Sequence, residues 1–422
     1  MTTKLPPPHI AALLAAALTA IDPRSVYALT IDGADGSDGV LNITASTEID
    51  LSQAVTANWD ADNSANAGKG VYDPAKWAVV FKYSSVNIAA SATVTFKNHA
   101  SRAPVVWLVS GDVTIAGVLS LNSVNPGYNS PNLAEPGPGG FRGGQGYFSS
   151  GVGRSAGFGP GGGANTNPSN SYGAAGSYGT LGTYGSSVYG NPSLLPLIGG
   201  SGGGGYYNDA RGGGGGAGAI LVASAGTTTV SGTIRANGGS DSGGGGGGSG
   251  GGVRLIANAL GGAGIVQCLG GAEGSYAGGL GRIRIERVTN TSALQVNPSP
   301  SVVPLEAGAT PLIWLPETGP TARVVSIGSV VAPEDPRATF GAQGADVTLP
   351  LVAATQVVVE TENAEQQSVV KVRVTPRANA NHSEVTATFD QQISANPLVL
   401  RWIANLTVNP GYSAVQARVI RP

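Results

Sequence analysis

Short apolar segments alternate with glycine-rich stretches through the middle of this 422-residue chain. Residues 105–109 and 219–223 are apolar at consecutive positions, which is typical of a β-strand that is covered on both faces. Residues 113–121 instead alternate between apolar and polar side chains, which predicts a strand with one buried face. Amphipathic helical periodicity is hard to find after residue 28. The pattern therefore predicts an all-β protein.

The apolar segments recur in the order strand, turn, strand and glycine-rich excursion, with roughly thirty residues in each cycle. Successive copies could stack in parallel, so that each backbone finds hydrogen-bond partners above and below and a continuous apolar column is buried. This predicts a parallel β-solenoid. An antiparallel sandwich built from hairpins is the alternative, but it would need compact turns, whereas the excursions are long and uneven.

Residues 127–281 contain most of the protein's 67 glycines. The longest excursion, residues 125–216, also carries many aromatic residues, and the later excursions are nearly pure glycine and serine. Aperiodic glycine tracts usually behave as flexible coil, but glycine can also form extended threefold helices that pack closely. The tracts leave the same edge of the predicted solenoid in succession, which favours packed helices, although ordering costs on the order of 1–2 kcal/mol per residue.

The chain is predicted to begin with an export signal. Lys4 precedes an apolar core at residues 10–21, which Pro23 and Arg24 interrupt, and residues 26–28 resemble a cleavage site before Leu29. The core is shorter than the ~20 apolar residues of a membrane-spanning helix, although a retained anchor or a buried helix is the alternative. We therefore expect a protein that is secreted or lies at the cell surface, and that is not transmembrane after signal cleavage.

Composition shifts divide the chain into five predicted regions. They are the signal peptide (residues 1–28), an N-terminal β region that starts or caps the solenoid (29–103), the glycine-rich β-solenoid (104–290), a proline-containing linker (291–310) and a C-terminal antiparallel β-sandwich (311–422).

The charge balance argues against nucleic acid as a partner, and the cysteine content excludes a disulfide within the chain. Only 11% of the residues are charged, and 23 basic side chains are matched by 25 acidic ones, so no field of one sign would attract nucleic acid. The single cysteine, Cys268, excludes an intramolecular disulfide and is predicted to be a buried small apolar residue.

Candidate catalytic groups are scarce. His99 and His382 are the only histidines after the predicted signal, and neither lies in a recognisable catalytic or metal-binding context. The glycine tracts lack the lysine of a phosphate-binding loop. A β-helix polysaccharide lyase or hydrolase is the enzymatic alternative, but its chemistry needs clustered carboxylates, and the acids within residues 127–281 lie in separate tracts. We therefore predict a protein that is not an enzyme and has no cofactor.

Calcium is the one metal ion for which the sequence offers candidate binding residues. Asp32, Asp35 and Asp38 lie three residues apart in a glycine-containing segment, as in some extracellular calcium loops, but the closing glutamate of an EF-hand is missing. A turn cluster, in which Asp and Gly tolerate unusual backbone angles, is the alternative.

Tyrosines within the glycine-rich stretch form a candidate ligand or assembly surface. Rigid aromatic rings on a background of glycine and serine resemble the composition of a paratope, and such rings also stack on sugars. Alternatively, the tyrosines attach the long excursion to the solenoid wall. The candidates are Tyr147, Tyr172, Tyr178, Tyr184, Tyr189, Tyr206 and Tyr207.

The export signal, the strand repeat of residues 104–286 and the glycine tracts together resemble secreted or surface bacterial glycine-rich β-solenoid proteins. More distantly, they resemble the glycine-sandwich adhesins of phage tails, in which packed glycine helices carry receptor-binding loops. The predicted signal departs from the phage family. The resemblance implies a structural or adhesive protein of the cell surface or extracellular matrix, either a self-assembling filament subunit or a glycan-binding adhesin, with partners among its own copies, other surface proteins or glycans.

Overall fold

The computed structural model describes residues 28–126, 133–147, 153–166, 172–185, 187–207, 211–240, 243–271, 276–337, 345–350, 354–378 and 380–422. These ranges contain β-strands, two 3-10 turns and extended segments, with no α-helix among them, so the all-β prediction is confirmed. Nothing helical in the described ranges has the length and apolar character needed to cross a membrane. The predicted signal peptide lies outside the described residues, apart from Ala28.

Strands in the first part of the chain belong to two largely parallel sheets. They are β1 (Gly39–Ile43), β2 (Thr47–Asp50), β3 (Val55–Thr56), β4 (Val71–Asp73), β5 (Ala78–Ile88), β6 (Thr93–Lys97), β7 (Val105–Val109), β8 (Val113–Ile115), β9 (Val118–Ser120), β10 (Ala219–Val230), β11 (Thr233–Arg235), β12 (Gly252–Gly261), β13 (Ile265–Gln267), β14 (Arg282–Asn290), β15 (Gln295–Asn297) and β16 (Ser301–Pro304). The ten-stranded sheet has the order β16-β14-β12-β10-β7-β5-β4-β3, with β1 and β8 attached to it, and the six-stranded sheet has the order β15-β13-β11-β9-β6-β2. Among the described residues of these two sheets, β4 and β5 are the one pair of neighbouring strands that runs antiparallel.

The chain passes repeatedly from the first sheet to the second, and each pass adds strands beside those of the pass before. β10 pairs with β7 and β8 of the preceding pass and with β12 of the next pass. In the second sheet, β11 likewise pairs with β9 and β13. The glycine-rich segments connect β9 to β10, β11 to β12 and β13 to β14, so all of them leave from one side of the stack.

Apolar side chains at paired positions form columns across successive strands. One column runs through Trp107, Val222, Leu255 and Ile285 in the first sheet, and another runs through Leu119, Ile234 and Val266 in the second sheet. Both columns belong to one buried core between the two sheets. Parallel pairing therefore stabilises the stack through backbone hydrogen bonds and through burial of a continuous apolar column.

β7 is buried on both faces, as its uninterrupted apolar sequence predicts. Trp107 points into the core between the sheets, whereas Val106 and Leu108 pack with Ile313 in a second core on the outer face of the first sheet. A strand in this position must be apolar at consecutive positions because neither face meets water.

The glycine-rich segments pack against one another as extended chains, which we call the glycine array (described parts of residues 133–218, 236–251 and 268–281). Gly203 N donates to Gly214 O, Gly214 N donates to Gly246 O and Gly246 N donates to Gly204 O, at 2.9, 2.9 and 2.8 Å. The chains approach so closely that a Cβ atom on Gly203 would lie 1.9 Å from Gly246 O. Only glycine permits this spacing, which explains the uninterrupted glycine runs at residues 202–205, 212–216 and 243–248.

The C-terminal strands form two antiparallel sheets. They are β17 (Thr321–Ile327), β18 (Val330–Val331), β19 (Thr355–Glu362), β20 (Val369–Pro376), β21 (Ser383–Thr386), β22 (Thr388–Ala395), β23 (Leu398–Leu406) and β24 (Ser413–Ile420). Their orders are β18-β17-β19-β23-β22 and β21-β20-β24. Side chains from both sheets, including Val359, Val372 and Trp402, share one buried core.

The C-terminal part contacts the rest of the molecule through buried polar groups. Arg373 of β20 donates from Nη1 to Gly159 O in the glycine array, at 3.1 Å. Asp335, which precedes β19, accepts a 2.6 Å hydrogen bond from the Tyr72 hydroxyl of β4. The C-terminal part therefore contacts both the glycine array, through β20, and the parallel sheets, through β4.

Candidate functional site

Tyrosine rings are arranged in a row along the glycine array, and we call this feature the tyrosine row. Its ring centroids are separated by 4.6 Å for Tyr206 and Tyr172, 5.0 Å for Tyr172 and Tyr276, 6.1 Å for Tyr276 and Tyr184, and 5.4 Å for Tyr147 and Tyr207. Tyr147 N also donates to Tyr206 O, at 3.0 Å, which connects the two stacked groups.

The backbone of the glycine array positions these rings. Tyr147 and Tyr206 directly follow Gly146 and Gly205 in the chain. Tyr206 N donates to Arg211 O at 2.9 Å, and Gly247 N donates to Tyr276 O at 2.8 Å. Tyr206 packs so closely on Gly244 that a Cβ atom there would lie 2.8 Å from the ring. The rings are therefore fixed by closely packed glycine backbone, which has few side chains that could rearrange.

The tyrosine row is partly exposed. Tyr184 and Tyr207 expose 48% and 52% of their surface, whereas Tyr147, Tyr172, Tyr206 and Tyr276 are half-buried. Because the stacked rings cover one another's faces, the half-buried members present mainly ring edges. Aromatic surface that projects in this way can contact a partner at a low cost in side-chain entropy.

A cation adjoins one end of the row. The Arg154 guanidinium lies over the Tyr207 ring, 5.4 Å from its centroid. Burial lowers the pKa of Arg154, and the Tyr207 hydroxyl acts in the opposite direction. Such an arginine can bind an acidic or hydroxyl-rich group beside the aromatic surface.

Tyr178 and Tyr189 do not belong to the exposed surface that the sequence suggested. Both are buried and pack with Leu194, and their hydroxyls donate to Ile198 O at 2.9 Å and to Gly199 O at 2.6 Å. Burial raises the pKa of both phenols. These hydroxyls bond within the long excursion, and Arg282 of β14 lies over the Tyr178 ring and donates to Tyr189 O at 2.9 Å. The two rings thus connect the excursion to a strand of the first sheet, which is the structural role that was the alternative for all the tyrosines.

Tyr276 belongs to the row but was missing from the sequence-based candidates. It stacks on Tyr172 and contacts Tyr184. Its sequence signal is weak. Tyr276 follows a serine, as Tyr172 does, but the buried Tyr178 also follows a serine, so this signal does not separate the row from the buried rings.

The calcium candidates do not converge on a common site. Asp38 is buried and accepts hydrogen bonds from Asn63 Nδ2, Gly68 N and Lys82 N, at 2.7, 2.8 and 2.7 Å. Asp35 instead forms a 2.8 Å ion pair with the buried Lys82 ammonium, and Asp32 is exposed. No group of three or more potential metal ligands occurs within the described ranges. Asp35 and Asp38 therefore bind donors from the protein itself.

Groups that could perform acid–base chemistry are engaged in structural contacts. His99 Nδ1 lies 2.8 Å from Ser101 Oγ, and the ring packs on Tyr72 with centroids 4.1 Å apart. Burial lowers the pKa of His99, as does the charge of Arg337. The Cys268 thiol is buried within the core, as predicted, and burial raises its pKa.

A cleft of about 480 Å³ separates the glycine array from the C-terminal sheets. Trp77, Phe141 and Arg142 line it on one side, and Tyr412 lines it on the other. The charged groups at its edge pair with one another, since Arg142 lies 2.6 Å from Glu135. The cleft is therefore a secondary candidate beside the tyrosine row.

No protein-family model matches this chain, and comparisons with curated proteins and with solved structures find no significant match.

Proposed function

We propose that this chain is a non-enzymatic adhesive protein of the cell surface or extracellular space that binds glycans through its tyrosine row. The observation that carries the proposal is the row itself, in which stacked and partly exposed rings from four segments of the chain lie on a close-packed glycine array. Segments that are far apart in sequence supply the rings, so the row exists only in the folded array.

The scaffold in this proposal is a parallel β-solenoid. The in-register pairing of β7, β10, β12 and β14 in one sheet and of β9, β11, β13 and β15 in the other supports it. In such a stack the excursions leave one side in succession, so the solenoid determines which glycine segments become neighbours.

Glycans suit the surface for three reasons. The half-exposed rings of Tyr184 and Tyr207 offer apolar surface on which sugar C–H groups can pack. The phenol groups along the row can both donate and accept hydrogen bonds, as sugar hydroxyls require. The low content of charged residues, 11%, favours a neutral ligand over a highly charged one.

A glycan array tests this function. The purified protein is expected to bind defined glycans, and a Tyr184→Ala/Tyr207→Ala double variant is expected to lose at least about tenfold in affinity, the scale of an interface hot spot. Ile393→Ala is the matched control, because Ile393 is 44% exposed but lies in β22, outside both the tyrosine row and the cleft. Equal binding by the double variant and the control would place the glycan site elsewhere.

A filament subunit is the second candidate, and one observation favours it. β15 is the terminal strand of the six-stranded sheet, and within the described residues it pairs only with β13. Such an edge can accept a strand from a second copy, although Pro298 and Pro300 follow it closely and limit pairing. Electron microscopy of concentrated protein would show ordered filaments for this function and separate particles for the adhesin.

A further inference from the structure

The tyrosine row also brings phenol rings close enough together for oxidative coupling after a small rotation. Tyr172 has two partners, Tyr206 at 4.6 Å and Tyr276 at 5.0 Å between ring centroids, with interplanar angles of 20° and 16°. Tyr147 and Tyr207 form a separate stacked pair at 5.4 Å. The geometry points to the row as a site of intramolecular dityrosine cross-linking between neighbouring segments of the glycine array.

The reaction needs an external one-electron oxidant, and a haem peroxidase with hydrogen peroxide is the class we infer. The oxidant removes one electron and one proton from each of two phenols. The two phenoxyl radicals then join through a C–C bond between their Cε atoms, which are ortho to the oxygen-bearing carbons, and the hydrogen on each of those Cε atoms moves to the phenol oxygen. Each cross-link removes two hydrogen atoms from the protein. These hydrogen atoms reduce one hydrogen peroxide molecule to two water molecules.

Proximity favours coupling within the row over coupling between molecules. Paired rings experience a high effective concentration of each other, and only a small rotation separates a stacked pair from contact between ring edges. The half-buried or exposed position of every member of the row permits this rotation and permits access of the oxidant. Tyr178 and Tyr189 provide a natural contrast, since their centroids are 4.7 Å apart but both rings are buried.

Cross-links at these positions would join segments that otherwise interact mainly through glycine backbone hydrogen bonds. A Tyr172–Tyr206 link connects the chain at Gly173 to the chain at Gly205, and a Tyr147–Tyr207 link connects the latter to the chain at Gly146. The expected consequence is a glycine array that unfolds at higher temperature after oxidation. This inference does not depend on glycan binding.

Peroxidase treatment of the purified, dilute protein, followed by digestion and tandem mass spectrometry, tests the proposal. We expect intrachain links of Tyr172 with Tyr206 or Tyr276 and of Tyr147 with Tyr207. In a Tyr172→Phe variant the first set should disappear while the Tyr147–Tyr207 link persists. A tyrosine-containing peptide added to the same reaction shows that the oxidant is active.

Three results would overturn the proposal. One is coupling of the added peptide without any intrachain link in the row. Another is linkage of the buried Tyr178–Tyr189 pair at least as frequently as the row. The third is coupling only between molecules, for example through Tyr412, which would show that exposure rather than stacking determines reactivity.

Discussion

Glycines of the array and glycines of the strands differ in which atoms a side chain would contact. A Cβ atom on Gly203 would lie 1.9 Å from Gly246 O and 2.4 Å from Gly246 C, both backbone atoms that cannot move independently. At Gly261 in β12, the nearest atoms are the hydroxyls of Thr291 and Thr229, at 3.6 and 3.7 Å. The first position is closed to every other residue type, whereas the second accepts a methyl group in ordinary contact.

We therefore expect Gly203→Ala to destabilise the protein by about 3 kcal/mol or more, the upper range for overpacking. Gly261→Ala is the matched control and should change the free energy of unfolding by less than about 1 kcal/mol. Thermal or denaturant unfolding of the two variants measures the difference. Similar stability of both variants would show that the array is looser than these distances indicate.

The ion pair of Asp35 and Lys82 is asymmetric. The Lys82 side chain is fully buried, and its ammonium also donates to Asp60 O at 3.1 Å, whereas 43% of the Asp35 side chain is exposed. Burial alone would raise the pKa of Asp35, but hydrogen bonds from Lys82 and Ser37 outweigh it and lower the pKa below 3.8.

A carboxyl group with a lowered pKa stabilises the fold above its unfolded pKa, and this contribution is lost as the pH falls through the folded value. We expect Asp35→Asn to lower the unfolding temperature at pH 7, because the buried ammonium loses its counter-charge. The difference from the unsubstituted protein should shrink as the pH falls below 3.8, the ordinary aspartate value. Unfolding temperatures across this pH range test the claim, and a difference that is constant with pH would contradict it.

At the scale of elements, the pattern of apolar positions predicted most of the strands. The uninterrupted apolar sequence of β7 and the repeat of β10, β12 and β14 follow directly from burial in parallel sheets. The tyrosine row could not be predicted in the same way, because its neighbours are determined by which glycine segments pack together. Tyr178 and Tyr189 have the same local sequence context as the exposed tyrosines, and only tertiary packing distinguishes them.

The junction between β20 and the glycine array contains a pH-sensitive group. His382 precedes β21, and its neighbour Asn381 accepts a hydrogen bond from Asn165 N of the array, at 3.4 Å. Burial lowers the pKa of His382 to about 4, and the positive charge of Arg373 acts in the same direction. The folded protein therefore holds this imidazole neutral at a pH where the unfolded chain has already bound a proton.

We expect stability to decrease as the pH falls from 6.5, the ordinary histidine value, to about 4, where the folded protein also binds the proton. His382→Gln should remove this part of the pH dependence, so that the unfolding temperature between these values falls by a few degrees (~2–4 °C) less than in the unsubstituted protein. An unchanged pH profile in the variant would mean that His382 is accessible to protons in the folded state.

At the scale of the whole molecule, the sheets and the glycine array depend on each other. The glycine segments follow directly after strands of the second sheet. The register of β11 and β13 therefore determines where the following glycine segments begin. The C-terminal sheets add a contact to Gly159 through Arg373. An array with few side chains has little apolar surface to bury, so we expect most of its order to come from these attachments and from its backbone hydrogen bonds.

Hydrogen exchange distinguishes this ordered array from the flexible coil that glycine-rich composition alone would suggest. The amides of Gly203, Gly214 and Gly246 donate to carbonyls of neighbouring segments, so we expect them to exchange as slowly as the amides of β10 and β12. Gly308, in the exposed turn after β16, is the reference for rapid exchange. Protection close to the global stability would show that the array unfolds together with the parallel sheets. Exchange in the array as fast as at Gly308 would instead mean that its hydrogen bonds do not persist, and the tyrosine row would then have no fixed geometry with which to bind a glycan or to form cross-links.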